Sequence, residues 1–264
     1  MEVGISTASL FLRYNNEDAF APLKYCGANL CEVFLTSFCE YNKEFGKLLK
    51  ERKGDIKVHS IHTVSTNFEP QLYAKHPKLI SDCFSFLSSA MECAREVGAK
   101  HYTFHGMARV KKAPLKMDFD FIGERTQQII DTLKKYDVTL TYENVHWAYY
   151  NYIGFFKTLK NLCPELKGVL DVKQARESGI DYFEFLKEMG SDIATVHVSG
   201  VDENGKIVLP KKNGVFDFEL LVKRLMDVGC DAPMFIEVYK DSYSTLDELK
   251  NSVEYLREIV YKLS

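Results

Sequence analysis

The chain has 264 residues, 46% hydrophobic and 27% charged, the composition of a folded globular protein rather than a disordered or fibrous one. Lys and Arg number 34 against 37 Asp and Glu, for a net charge of −3, and no basic run exceeds two residues, so the electrostatic footprint of a nucleic-acid binder is absent. No apolar stretch approaches the ~18 residues that span a bilayer, MEVGISTAS lacks the regions of a signal peptide, and seven cysteines without a CxxC pair suit buried thiols of a reduced, cytoplasmic compartment.

The opening VGIST predicts a short strand, and Glu17 to Cys26, before Gly27, a short helix with a glycine stop. ANLCEVFL follows, an apolar run interrupted by Glu32, and then a polar-faced helix from Tyr41 to Arg52. DIKVHSIHT alternates and is β-branched, the pattern of a strand. His59 and His62 are three apart there, a separation that puts them on opposite faces, so at most one is expected at a shared site. From Pro77 to Val97, apolar residues step by three or four between a proline start and the Gly98 stop, which predicts a helix.

AKHYTFHG predicts a strand ending in His105-Gly106, and Phe119 to Tyr136 a helix. VTLTYENV alternates and ends in Glu143-Asn144, where a strand hands over to a loop. A helical stretch from Tyr150 to Leu162 breaks at Pro164, and LKGVLDV ends an apolar run with Asp171. After QARESG comes a brief helix, Tyr182 to Met189, and then IATVHVSG with His197 near its end. VDENGKIVLPKKNG is the longest irregular segment, and Asp217 suits the N-cap of a helix running to Val228. APMFIEVY carries Glu237, and an amphipathic helix from Leu246 to Leu263 closes the chain.

The strands VGIST, CEVFL, IKVHSIH, HYTFH, VTLTYE, GVLDV, ATVHVS and MFIEV each precede a helical pattern, which predicts a single-domain (β/α)8 TIM barrel over residues 1–264. An open doubly wound sheet also alternates strand and helix, but the Gly-rich turn it normally carries after its first strand is missing. His62, His105, Glu143, Asp171, His197 and Glu237 all fall near the C-terminal ends of strands, where barrels build their sites. Glu143, Asp171, His197 and Glu237 offer three oxygen ligands and one nitrogen, a set suited to Mn²⁺, Mg²⁺, Co²⁺ or Zn²⁺.

The ordered motifs HSIHT, FHG, YENV, LDVKQA, VHVSG and FIEVY resemble the xylose isomerase-like barrels, and the resemblance covers essentially the whole chain. That family includes sugar-phosphate isomerases and epimerases and an endonuclease IV branch. The resemblance implies that Glu143, Asp171, His197 and Glu237 bind one metal, and that Glu143 and Glu237 move protons on opposite faces of a bound sugar. Many members carry a histidine three residues after the strand-six aspartate; here Gln174 stands there, able to bond a hydroxyl but a poor metal ligand. The loop after strand seven contains no histidine, so the Asp-x-His pair that completes a three-zinc phosphodiesterase centre is missing.

His62 and His105 are expected to contact substrate, with a second ion at these two and Glu143 left open. Lys173 is a candidate anion or substrate contact and Trp147 a ring-stacking one. Lys211 and Lys212 are expected to be solvated rather than to hold a substrate anion. The expected activity is a metal-dependent isomerase or epimerase of a small sugar, sugar phosphate or related polyol, working through an enediolate. Its expected partner is that small carbohydrate, with no nucleic acid or membrane, and a homo-oligomer is left open. An abasic-site endonuclease, a non-catalytic sugar-binding barrel and a dehydratase of inositol-type ketones are the alternatives.

Overall fold

Short β-branched and apolar segments form the eight barrel strands: β1 (Val3–Ser6), β2 (Leu30–Leu35), β3 (Lys57–Thr63), β4 (His101–Phe104), β5 (Thr139–Glu143), β6 (Lys167–Asp171), β7 (Ile193–Val198) and β8 (Met234–Ile236). The computed structural model describes residues 1–109, 117–211 and 214–264. These eight strands run parallel and close into a barrel in the order β1-β8-β7-β6-β5-β4-β3-β2, and Gly200–Val201 pairs antiparallel with Ile207–Val208 in the long segment after β7. Closure pairs both edges of every strand and sends all eight C-terminal ends to one rim.

The helices are α1 (Phe20–Tyr25), α2 (Lys43–Arg52), α3 (Pro77–Val97), α4 (Phe119–Lys134), α5 (Phe155–Leu162), α6 (Val172–Glu177), α7 (Tyr182–Met189), α8 (Phe218–Asp227) and α9 (Leu246–Leu263). Local chemistry sets their ends. Pro77 opens α3 and left-handed Gly98 stops it. Asp217 caps α8 through Leu220 N–H, and Thr245 with Glu248 forms a capping box on α9. Apolar helix faces cover the barrel: Leu87 and Met91 of α3, Ile129 and Leu133 of α4, and Leu256 of α9 are all buried. Each such side chain contributes about 1.5–3 kcal/mol by leaving water.

Three local differences from the sequence pattern have physical causes. The first helix region divides into a 3₁₀ turn, Asn16–Asp18, followed by α1. Helix α5 begins at Phe155, five residues after Tyr150, because Tyr150 is a buried loop anchor stacked on Phe155 and Phe156, and Gly154 has φ 101°. Helix α6 starts directly after Asp171, whose side chain accepts from Gln174 N–H as its N-cap.

The expected opposition of His59 and His62 is also corrected. Register shifts between Cys31 and Glu32, which pair with Val58 and Ser60, so His59 is the extra residue of a β-bulge. His59 Nε2 lies 3.1 Å from Ala194 O and 3.1 Å from Thr195 Oγ1 on β7, a strand not adjacent to β3, so its ring crosses the barrel interior. His62 also points inward, toward Glu32 and Glu237, and the two histidines occupy different levels of one interior.

All seven cysteines are free; six are buried, and Cys39 is exposed, against the expectation for the set. Among the described residues, no helix is long and apolar enough to cross a membrane.

Candidate metal centre

Parallel closure brings the ends of β5, β6, β7 and β8 to one rim, and with them Glu143, Asp171, His197 and, one residue past β8, Glu237. One ligand-capable atom from each lies within 4.8 Å of all the others. From His197 Nδ1, Glu143 Oε1 is 3.2 Å away, Glu237 Oε2 3.5 Å and Asp171 Oδ2 3.8 Å. Asn144 locks two of these strand ends together: its side-chain amide donates to Asp171 O at 3.0 Å, and its Oδ1 accepts from Asp171 N–H at 2.8 Å. Because Asp171 Oδ1 accepts from Gln174 N–H, the other oxygen, Oδ2, is left to face the group.

The donor set fits a divalent ion. Glu143 Oε2, Asp171 Oδ2 and Glu237 Oε2 are buried and receive no hydrogen bond, a costly state for carboxylate oxygens that a bound cation relieves. Carboxylate oxygens with one imidazole are the donors such an ion takes.

His62 and His105 border this group. Their Nε2 atoms are 2.9 Å apart, and His105 Nε2 is 3.2 Å from Glu143 Oε2, so these three residues form a second cluster that shares Glu143 with the first. Trp147 lies over His105 with ring centroids 5.7 Å apart, and Phe34 over His62 at 4.7 Å. Gly106 makes the turn after His105 at φ 72°, and a Cβ there would overlap the Tyr142 hydroxyl. A cavity of about 370 Å³ opens above, lined by His62, His105, Trp147, Lys173 and Gln174 together with Glu143 and Glu237.

The remaining sequence candidates divide. The Lys173 ammonium is buried and already paired, 3.6 Å from Glu237 Oε1 and 3.7 Å from Asp171 Oδ2. Gln174 turns its Oε1 to the rim, accepting from His146 N–H at 3.2 Å and lying 2.6 Å from His146 Nδ1, away from the four-residue group. Lys211 is exposed and lines a separate hollow with Ser242 and Glu248, whereas Lys212 lies outside the described residues.

Two glutamates absent from the sequence candidates belong to the site. Glu32 is wholly buried; it accepts from Ser6, Ser60 and Thr103 hydroxyls and lies 3.0 Å from His197 Nε2 and 3.4 Å from His62 Nδ1. Its sequence signal is a charge in the middle of a buried parallel strand, which has to find partners inside. Glu69, in the segment after β3, is wholly buried and bonds His105. Nothing in the pattern around it marks that role.

Opposite charges face one another within the cluster. Burial pushes the Glu143 carboxyl up, but the His105 and His197 imidazoles outweigh it and hold it well below the usual carboxylate range. Glu32 is held low in the same way by His197 and His62. Asp171 goes the other way: burial, aided by Glu143 and Glu237 and opposed by Lys173 and His197, pushes it up to about 7. Burial disfavours charge on His105, yet Glu69 and Glu143 raise it to about 10. His197 is raised well above its ordinary value, because Glu237, Glu32 and Glu143 overcome burial.

Similar architectures occur among solved structures. An L-ribulose 3-epimerase superposes with TM-score 0.79 at 13% identity, covering 100% of this chain and 97% of that one. The IOLI protein with a binding zinc atom gives TM-score 0.79 at 17% identity, with 99% of each chain covered. D-Psicose 3-epimerase with D-tagatose, from Clostridium cellulolyticum H10, gives 0.76 at 13%, covering 98% of this chain and 99% of that one. No curated protein sequence matches. Residues 20–259 match the family described as Xylose isomerase-like TIM barrel. With its closed eight-strand parallel barrel, the chain belongs to the xylose isomerase-like TIM barrel family.

Proposed function

We propose that this protein is a divalent-metal-dependent isomerase or epimerase of a small sugar, sugar phosphate or related polyol. What supports this most is the convergence of Glu143, Asp171, His197 and Glu237 from four strand ends, with three buried carboxylate oxygens that receive no hydrogen bond. The sugar epimerases and the zinc-containing protein of similar fold lend further support.

A bound divalent ion would supply the positive charge that stabilises an oxyanion beside the reacting C–H. Glu143 and Glu237 stand three strands apart around the ring and approach the cavity from different sides. A substrate held between them offers one face to each. One carboxylate takes the proton from carbon and the other returns one, by way of an enediolate. His62, His105 and the Gln174 amide supply hydrogen bonds to hydroxyls along the wall, and Trp147 covers an apolar ring face and excludes water. Lys173 holds Asp171 and Glu237 in place by charge.

The test is turnover of ketopentoses and ketohexoses by metal-loaded enzyme in deuterated water. A new epimer or aldose carrying carbon-bound deuterium, formed only without chelator, is the expected result. Turnover without label would replace the two-glutamate proton transfer by an internal hydride shift. Tight sugar binding with no turnover would leave a binding barrel instead.

A further inference from the structure

Glu69 has no part in the proposed proton transfer, yet its side chain is wholly buried at the edge of the site. Four donors converge on it. Oε1 accepts from Thr63 Oγ1 at 3.0 Å and Tyr102 OH at 2.7 Å; Oε2 accepts from the His105 backbone N–H at 2.9 Å and lies 3.0 Å from His105 Nδ1. A buried carboxylate is costly, and an apolar side chain of similar size would fill the same space without that cost. What the carboxylate adds is acceptors. Two hydroxyls fix one oxygen, and the other is aimed at His105.

With Oε2 against it, Nδ1 of His105 is a donor whether the ring is neutral or charged. Nε2 is thereby turned to the cavity, 3.2 Å from Glu143 Oε2 and 2.9 Å from His62 Nε2. Trp147 stacks on the same ring with an interplanar angle of 28°. Stacking sets the plane of the imidazole, and Glu69 sets its rotation within that plane.

We propose that Glu69 is a positioning residue of this site: it holds Nδ1 of His105 as a donor, so that Nε2 is the nitrogen that meets a substrate hydroxyl beside the reacting carbon. The substrate half of this statement rests on the isomerase or epimerase reading; the orientation of His105 does not. Glu69→Met fills the same space without an acceptor, so nothing at that position receives Nδ1–H. The ring can then rotate, and Nε2 loses its fixed place beside Glu143 Oε2.

The experiment is long-range ¹H–¹⁵N spectroscopy of histidine rings in the zinc-loaded full chain, with His105 assigned by the signal missing from His105→Gln. In wild type, Nδ1 of His105 carries a proton, and on adding D-tagatose the Nε2 signal moves while Nδ1 does not. In Glu69→Met the hydrogen-bonded Nδ1–H signal of His105 is lost to exchange; kcat on a turned-over ketose falls by roughly 10-fold or more while KM and zinc content change little. A bare Nδ1 in wild type overturns the proposal, and this arm decides it even where the variant does not fold. A folded Glu69→Met that keeps the wild-type Nδ1–H signal, or one that loses it with kcat unchanged, also overturns it. If the Nδ1–H signal is lost in Glu69→Met as expected but no sugar is turned over by wild type, the orientation by Glu69 stands and the isomerase reading fails.

Discussion

Glu32 on β2 and His197 on β7 meet across the barrel, with Oε1 of the glutamate 3.0 Å from Nε2 of the histidine. Three hydroxyls hold the glutamate in place, so its charge always faces the same ring nitrogen. The other nitrogen, Nδ1, is left toward Glu143, Asp171 and Glu237. A carboxylate behind a histidine in this way fixes its tautomer and raises its strength as a ligand. Glu32→Gln is therefore expected to weaken zinc or manganese binding by roughly 10–100-fold with little change in the far-ultraviolet spectrum. Titration calorimetry against a competing chelator measures this; unchanged affinity would remove Glu32 from the centre.

Glu143→Gln and Glu237→Gln should each lower kcat by roughly 100-fold or more, within the range for losing a positioned acid or base. Metal content has to be measured in the same samples, because both residues stand in the four-donor group. Gln174→Ala should leave metal content intact, since its oxygen is turned to His146. Retained activity in fully loaded Glu143→Gln would rule out its part in proton transfer.

Lys173 gives a stability prediction. Its buried ammonium is paired with Asp171 and Glu237, and removing one partner of such a pair costs about 3–5 kcal/mol. In Lys173→Met the carboxylates lose that cation, but a bound divalent ion restores positive charge beside them. The fall in Tm is expected to be larger in metal-free protein than in metal-loaded protein. Equal falls in the two forms would show that Lys173 does not serve those carboxylates.

The barrel was readable in the sequence because its strands are short, β-branched and regularly followed by helices. Glu143, Asp171, His197 and Glu237 were readable for a related reason: they interrupt apolar runs at strand ends, and closure brings all strand ends to one rim. Glu32 stood in plain view within CEVFL, but its partners Ser6, Ser60 and Thr103 come from three other strands. His59 was misdirected by strict alternation, because a bulge is a pairing event between two strands and leaves no mark in either alone. Glu69 reaches its histidine only when the chain after β3 folds back over the rim.

The lower barrel interior supplies a pH dependence. His101 stacks on His59 at 4.4 Å; burial, with the neighbouring His59, pushes its imidazole down to about 4. In the unfolded chain the ring takes up a proton near its ordinary value of about 6.5, so this histidine favours unfolding progressively as pH falls from about 6.5 to about 4. His101→Gln should lose stability less steeply across that window, by up to about 3 kcal/mol relative to wild type. Urea midpoints at pH 7, 5.5 and 4 measure the difference; parallel curves would contradict it.

An anomalous-difference map from crystals loaded with manganese or zinc and soaked in D-tagatose bears on the whole proposed mechanism at once. The expected result is a peak among His197 Nδ1, Glu143, Asp171 and Glu237, with sugar density in the cavity between Glu143 and Glu237 and under Trp147. Fully loaded crystals with no peak among those four residues, or with sugar bound elsewhere on the molecule, would contradict it.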